Sequence, residues 1–81
     1  PTSGSAAVTL ALPRAGNARV VAYDVNGRRV RALWDGPMEA GTRTLSWDGR
    51  SDRGERVPGG IYFIRLECSG RIAARRLAIL R

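Results

Sequence analysis

The sequence has no histidine, no lysine and no glutamine, and it holds a single cysteine, Cys68. Each absence removes a class of chemistry. Without histidine or lysine, a serine or threonine nucleophile has no side-chain nitrogen base to take its proton. Zinc sites built from cysteine and histidine are excluded by the same inventory. A lone cysteine excludes an internal disulfide. No apolar run approaches the roughly eighteen residues of a membrane-spanning helix, and no signal-peptide pattern is present. Aromatic residues make up only 6% of the chain, too few to expect the stacking platform that single-stranded nucleic acid requires.

What is there is arginine and glycine. Fourteen arginines face seven acids, for a net charge of +7. Such a field attracts polyanions. The joint absence of lysine, glutamine and histidine reads more simply as a compositional habit, so nucleic acid is not the expected partner. Eighty-one residues allow one domain, 1–81, and a chain this short buries only about 60–65% of the surface it exposes when unfolded. The start at Pro1, without methionine, leads us to expect a module of a longer or processed protein. Residues 1–7, rich in serine, glycine and alanine, are expected to be a flexible or exchangeable segment.

Apolar residues alternate in short runs between turn signals, and no window carries the spacing of an amphipathic helix. Val8, Leu10 and Leu12 share one face of a first strand. Residues 19–25 form a second, with Val21, Tyr23 and Val25 on one side. Asn26-Gly27 then signals a hairpin with a type I′ turn. Residues 28–34 return, and a β-bulge near Ala32 would let Val30 and Leu33 share the core while leaving Trp34 on the surface. Residues 42–47 place Leu45 and Trp47 inward, with Thr44 and Ser46 outward. Residues 61–67 and 71–80 complete the pattern around a turn at Cys68-Ser69-Gly70. That predicts six antiparallel strands, or seven if Val57-Pro58 forms a short edge strand, and hence an all-β sandwich or small barrel.

The acids of the loop 48–60 invite two chemical readings. Asp48, Asp52 and Glu55 lack the alternating ligand spacing of a calcium loop, and Arg50, Arg53 and Arg56 are interleaved to neutralise them. They fit better as turn caps, because aspartate accepts hydrogen bonds from backbone amides two residues on. No catalytic, cofactor or metal residue is expected.

Four segments stand in a telling order: Tyr23-Asp24 through Gly27-Arg28 to Val30, then Ala40-Gly41, then Trp47-Asp48-Gly49-Arg50, then Gly60-Ile61-Tyr62 through Arg65-Leu66. Together with the closing Arg75-Arg76-Leu77-Ala78-Ile79-Leu80, this resembles the immunoglobulin-like domain of the flagellar hook-capping (FlgD-type) family. It also resembles the related C-terminal domains of large secreted bacterial proteins. The resemblance implies an immunoglobulin-like (fibronectin type III-like) sandwich in an extracellular or cell-surface setting. Some such domains are sorting signals for type IX secretion, and others are repeats or caps on larger assemblies. The Asn-Pro-rich leading segment of that family is reduced here to Pro1-Thr2-Ser3-Gly4-Ser5, which counts against a sorting signal.

The expected function is therefore a non-catalytic structural or docking module that binds protein. A filament subunit assembling by β-strand exchange and a binder of anionic polymer are the alternatives. Candidate partner contacts are Trp34, Phe63, Arg71 and Arg75. Arginines at 28, 29 and 31 with those at 71, 75 and 76 would form a basic face, read as a solvated strand face whose stems shield apolar surface.

Overall fold

Apolar and polar residues alternate through six strands in the computed structural model, which describes residues 4–80. They are β1 (Ala6–Leu12), β2 (Gly16–Tyr23), β3 (Arg29–Met38), β4 (Gly41–Trp47), β5 (Gly60–Cys68) and β6 (Arg71–Ile79). β1 and β4 form a two-stranded sheet, and β3-β2-β5-β6 form a four-stranded one. All pairings are antiparallel. The chain makes the β2–β3 hairpin, crosses to place β4 beside β1, and returns to lay β5 against β2. The two sheets face each other as a sandwich.

The interior forms where the inward positions of both sheets meet. Val8, Leu10 and Leu12 of β1 and Trp47 of β4 face Val20, Ala22, Tyr62, Ile64 and Leu66. Trp47 is only 2% exposed. Its ring meets Tyr62 edge-on, with centroids 5.1 Å apart and planes at 82°, the arrangement aromatic quadrupoles favour. Both polar tips are satisfied: Trp47 Nε1 donates to the Arg50 carbonyl at 2.9 Å, and the Tyr62 hydroxyl donates to the Pro58 carbonyl at 2.6 Å. That last bond ties the start of β5 to the backbone four residues upstream, a tyrosine corner of the kind found in immunoglobulin-like sandwiches.

Four sequence expectations need correction. The core face of β2 is Ala18, Val20 and Ala22, with Val21 buried on the opposite face and Val25 exposed in the turn. A run apolar on both sides gives periodicity no means to choose a face. The hairpin after β2 is not a two-residue type I′ turn at Asn26-Gly27. Gly27 N donates to Asp24 O and Asp24 N to Arg28 O, both at 3.0 Å, and only Gly27 takes a positive φ. The connection is thus a three-residue loop with a glycine bulge. Asp24 Oδ1 selects it by accepting from Asn26 N and Arg28 N. Val57-Pro58 forms no strand among the described residues. Val57 is buried, its amide donates to Gly49 O, and only an isolated bridge joins Arg50 to Arg56. The expected segment 1–7 is described only from Gly4: residues 1–3 lie outside the described residues, and Ala6 already belongs to β1.

The fourth correction concerns Trp34, beside a bulge that stands where it was expected. The β2–β3 register slips between Val20 and Val21, where Val20 faces Trp34 and Val21 faces Ala32. Leu33 is the extra residue, and both it and Val30 pack against the core as expected. Trp34 does not stay on the surface. It is half-buried against the same core, pairs with Val20, and donates through Nε1 to the Gly36 carbonyl. The Arg43 guanidinium of β4 lies 4.2 Å above its ring, a cation–π contact that joins the two sheets on this side.

Asp52 closes the outer side of β3 beside this bulge. Its amide donates to Val30 O at 2.9 Å, and its Oδ1 accepts from Ala32 N at 3.0 Å. Its Oδ2 lies 3.3 Å from Arg29 Nε. One loop residue thus stands in for a partner strand. Asp48 plays a turn-capping part, accepting from Arg50 N at 3.1 Å, with Arg31 Nη1 at 3.4 Å. The Ala32 amide, and after it the charges of Arg29 and Arg31, hold the Asp52 carboxyl below its ordinary value of 3.8.

Two outcomes follow for stability. Trp47→Ala should remove a large share of the domain's stability, since truncating a buried aromatic costs about 3–5 kcal/mol against total stabilities of about 5–15 kcal/mol, towards the low end for so short a chain. Thermal melting checks this, and a loss of only a degree or two would contradict it. The Asp52 carboxylate stabilises the fold fully above 3.8, and that contribution disappears as pH falls through its lower folded value. The melting temperature of the parent chain should therefore fall more steeply below about pH 4 than that of Asp52→Asn, which keeps an oxygen for Ala32 but cannot titrate. Parallel melting curves for the two proteins across that range would refute the assignment.

Candidate interaction surface

Strand alternation gives the four-stranded sheet a second face, turned away from the core. Register fixes its composition. Tyr23 of β2 lies beside Phe63 of β5, which lies beside Arg76 of β6; in the next row Val21, Arg65 and Ala74 are aligned. Arg19, Glu67 and Ile72 form a third row, and Ile61 faces Ala78 at the other end. Phe63 is 40% exposed, Ile61 41% and Ile72 59%. Contiguous exposed apolar patches rimmed by polar residues mark contact sites, whereas single exposed apolar residues are ordinary; Ile61 and Phe63 adjoin on β5, and Ile72 lies two rows away. Arg65 Nε sits 3.1 Å from Glu67 Oε1, an ion pair out of line for a hydrogen bond. The pair is solvent-exposed and contributes little to stability.

The expected residues do not gather into one site. Phe63 stands on this outer face. Arg71 and Arg75 are exposed on β6, on the side of that strand that faces the smaller sheet. Trp34 lies on β3, at the opposite edge of the sheet, beneath Arg43. The basic face divides in the same way: Arg28, Arg29 and Arg31 belong to the β3 edge, and Arg71, Arg75 and Arg76 to the β6 edge. On the β3 side Arg29 and Arg31 are paired with Asp52 and Asp48. Among the described residues, the β6 arginines form no ion pair. Sequence reasoning placed Arg76 on a solvated face but did not single out Ile61 and Ile72 as surface residues. The signal was present in the Ser69-Gly70 turn, which fixes the β5–β6 register and hence which residues adjoin Phe63.

Among the described residues there is no group of three acidic, cysteine or histidine side chains placed to hold a metal ion. Nor is any helix long and apolar enough to cross a membrane. A groove of about 470 Å³ opens between the end of β1 and β6, lined by Leu12, Arg14, Leu66, Arg71 and Ala73 among others. The half-buried thiol of Cys68 lies at its end.

Comparison with known proteins agrees with this architecture. The basal-body rod modification proteins FlgD of Salmonella typhimurium and Salmonella typhi are each 44% identical to the chain over 46 residues. That match spans 57% of this chain and 20% of theirs, so the chain corresponds to about a fifth of those relatives. The crystal structure of FlgD from Pseudomonas aeruginosa superposes with a TM-score of 0.74 at 26% identity, covering 93% of this chain and 60% of that one. PorZ, described as an essential bacterial surface component of the type IX secretion system of Porphyromonas gingivalis, superposes at 0.53 with 26% identity, over 82% of this chain and 8% of its own. The sequence profile of the FlgD Ig-like domain matches residues 2–71. With two sheets, six antiparallel strands and that match across most of its length, the chain belongs to the FlgD Ig-like domain family.

Proposed function

We propose that this domain is a non-catalytic docking module of a secreted or surface-exposed bacterial protein, working by protein–protein contact outside the cell or at its surface. The observation that carries this is the exposed apolar set on the outer face of the larger sheet, centred on Phe63 and bordered by arginines. Its kinship with FlgD supports a scaffolding use, and its likeness to a domain of a surface-located secretion component supports the extracellular setting.

The filament alternative would need β1 to leave its own domain. β1 pairs with β4 from Ala6 opposite Trp47 to Leu12 opposite Gly41 without a break, and the Thr9 and Thr44 hydroxyls meet across the pair at 3.1 Å. This favours a closed module.

Photo-crosslinking tests the docking reading. A benzoylphenylalanine placed at Phe63, in the cells that make the protein, should give a discrete heavier adduct with one protein. The same probe at Thr44, exposed on the smaller sheet, should not. Protease added to intact cells should remove the adduct. Identical patterns from both positions, or an adduct sheltered from protease, would contradict it. Phe63→Ala should meanwhile cost about 1–2 kcal/mol, well below the cost at Trp47, because its side chain is only partly buried.

A further inference from the structure

The two edges of the four-stranded sheet are treated differently. On β3, Asp52 satisfies the bulge with its amide and carboxylate. On β6, among the described residues, no loop does this along most of the strand. The Ser69-Gly70 turn has both residues at positive φ, so it closes on Cys68 and Arg71 as a hydrogen-bonded pair. Alternation from that pair turns the odd-numbered backbone groups of β6 toward β5 and the even-numbered ones toward the free edge. Two bonds agree with this assignment. The Ala74 carbonyl accepts from Arg75 Nη1 at 3.0 Å, and the Leu80 carbonyl accepts from Gly4 N at 2.6 Å. Apart from those two carbonyls, the outward backbone groups of Ile72, Arg76 and Ala78 meet no strand among the described residues.

We infer that the β6 edge takes up an extended acidic polypeptide segment as a fifth strand of the larger sheet. The inference rests on the docking reading above and names the partner's chemistry. Three features select this occupant. Unpaired amides and carbonyls at strand spacing fit a polypeptide backbone, whereas the backbone of a nucleic acid or polysaccharide chain has no N–H repeating at that spacing to return to the carbonyls. Arg71, Arg75 and Arg76 carry the edge's charge, and residues 71–80 contain no acid to neutralise it. A second copy of β6 would bring the same three arginines into one sheet, where like charges on neighbouring strands repel. The groove beside the strand supplies the third feature. Ala73 is small, and with Leu12 and Leu66 it lines an apolar space bordered by Arg14 and Arg71. An added strand would turn alternate side chains toward that space, an apolar one opposite Ala73 with acids on either side of it, beside Arg71 and Arg75.

The test uses the 81-residue chain and capped heptapeptides, followed by amide NMR. TETLTET, with Glu, Leu and Glu on one face, should bind saturably and slow exchange of the Ile72, Arg76 and Ala78 amides at least tenfold. Replacing Leu by Ser should weaken it several-fold, and N-methylation of alternate peptide amides should abolish binding. TKTLTKT should not bind. Arg71→Glu with Arg75→Glu, both at exposed positions, should weaken TETLTET at least tenfold and admit TKTLTKT. Equal binding of the N-methylated peptide, or of a short heparin fragment to the same residues, would overturn the proposal in favour of a general anion surface. So would no binding, or self-association of the chain through β6. If TETLTET fails while the Phe63 adduct forms, docking stands and the edge assignment falls. If TETLTET binds and no adduct forms, the outer face is the part that fails.

Discussion

The larger sheet offers four strands to the interior and the smaller one answers with two, so the cover is incomplete along both long sides of the sandwich. That imbalance sets the demands on everything else. The core must be closed by a few large side chains, and Trp47 does most of this from β4 by meeting Tyr62 edge-on and anchoring its indole nitrogen on the loop carbonyl of Arg50. On the β3 side, where β4 runs, the half-buried Trp34 lies under Arg43. On the β6 side β1 gives only partial cover, and a groove remains beside Ala73.

The two edges of the larger sheet express the same imbalance as hydrogen bonding. Buried or half-buried backbone groups must find partners, and the β4–β5 loop supplies them to β3 through a single aspartate. Two of its acids are thereby used internally, Asp48 and Asp52 beside Arg31 and Arg29. The positive charge of the chain is left concentrated elsewhere, above all along β6. Local folding chemistry and surface electrostatics thus meet in one loop: the aspartates that bond the β3 edge and cap the loop's turn also lie beside Arg29 and Arg31.

The sequence carried the strands well, because most of them obey period two with turn residues between. Val8, Leu10 and Leu12, and Leu45 with Trp47, fall on the faces that alternation assigns. It carried less where two rules compete. Val20, Val21 and Ala22 are apolar on both sides, so the face of β2 depended on its neighbours. Asn26-Gly27 suggested the tightest hairpin turn, but the Asp24 carboxylate stabilises a longer one. The bulge at Leu33 was legible from the conflict between Val30, Leu33 and Trp34, yet the fate of Trp34 depended on Arg43, a residue from the other sheet. The candidate interaction surface was legible only in part. Phe63 and the β6 arginines could be named from exposure and charge, whereas their separation from Trp34 required the strand order.

The central claim is that Asp52 pairs with one edge of the larger sheet at the β3 bulge, whereas among the described residues the outward groups of Ile72, Arg76 and Ala78 at the other edge meet no backbone partner. Residue-resolved hydrogen–deuterium exchange of the free domain measures this directly, since edge amides without partners exchange through local opening at little cost. The Ala32 amide, held by Asp52, should be protected and should lose that protection in Asp52→Ala. The outward amides of Ile72, Arg76 and Ala78 should exchange near the rate of an unstructured chain while their odd-numbered neighbours stay protected. Uniform protection along β6, or an unprotected Ala32 in the parent chain, would contradict the account.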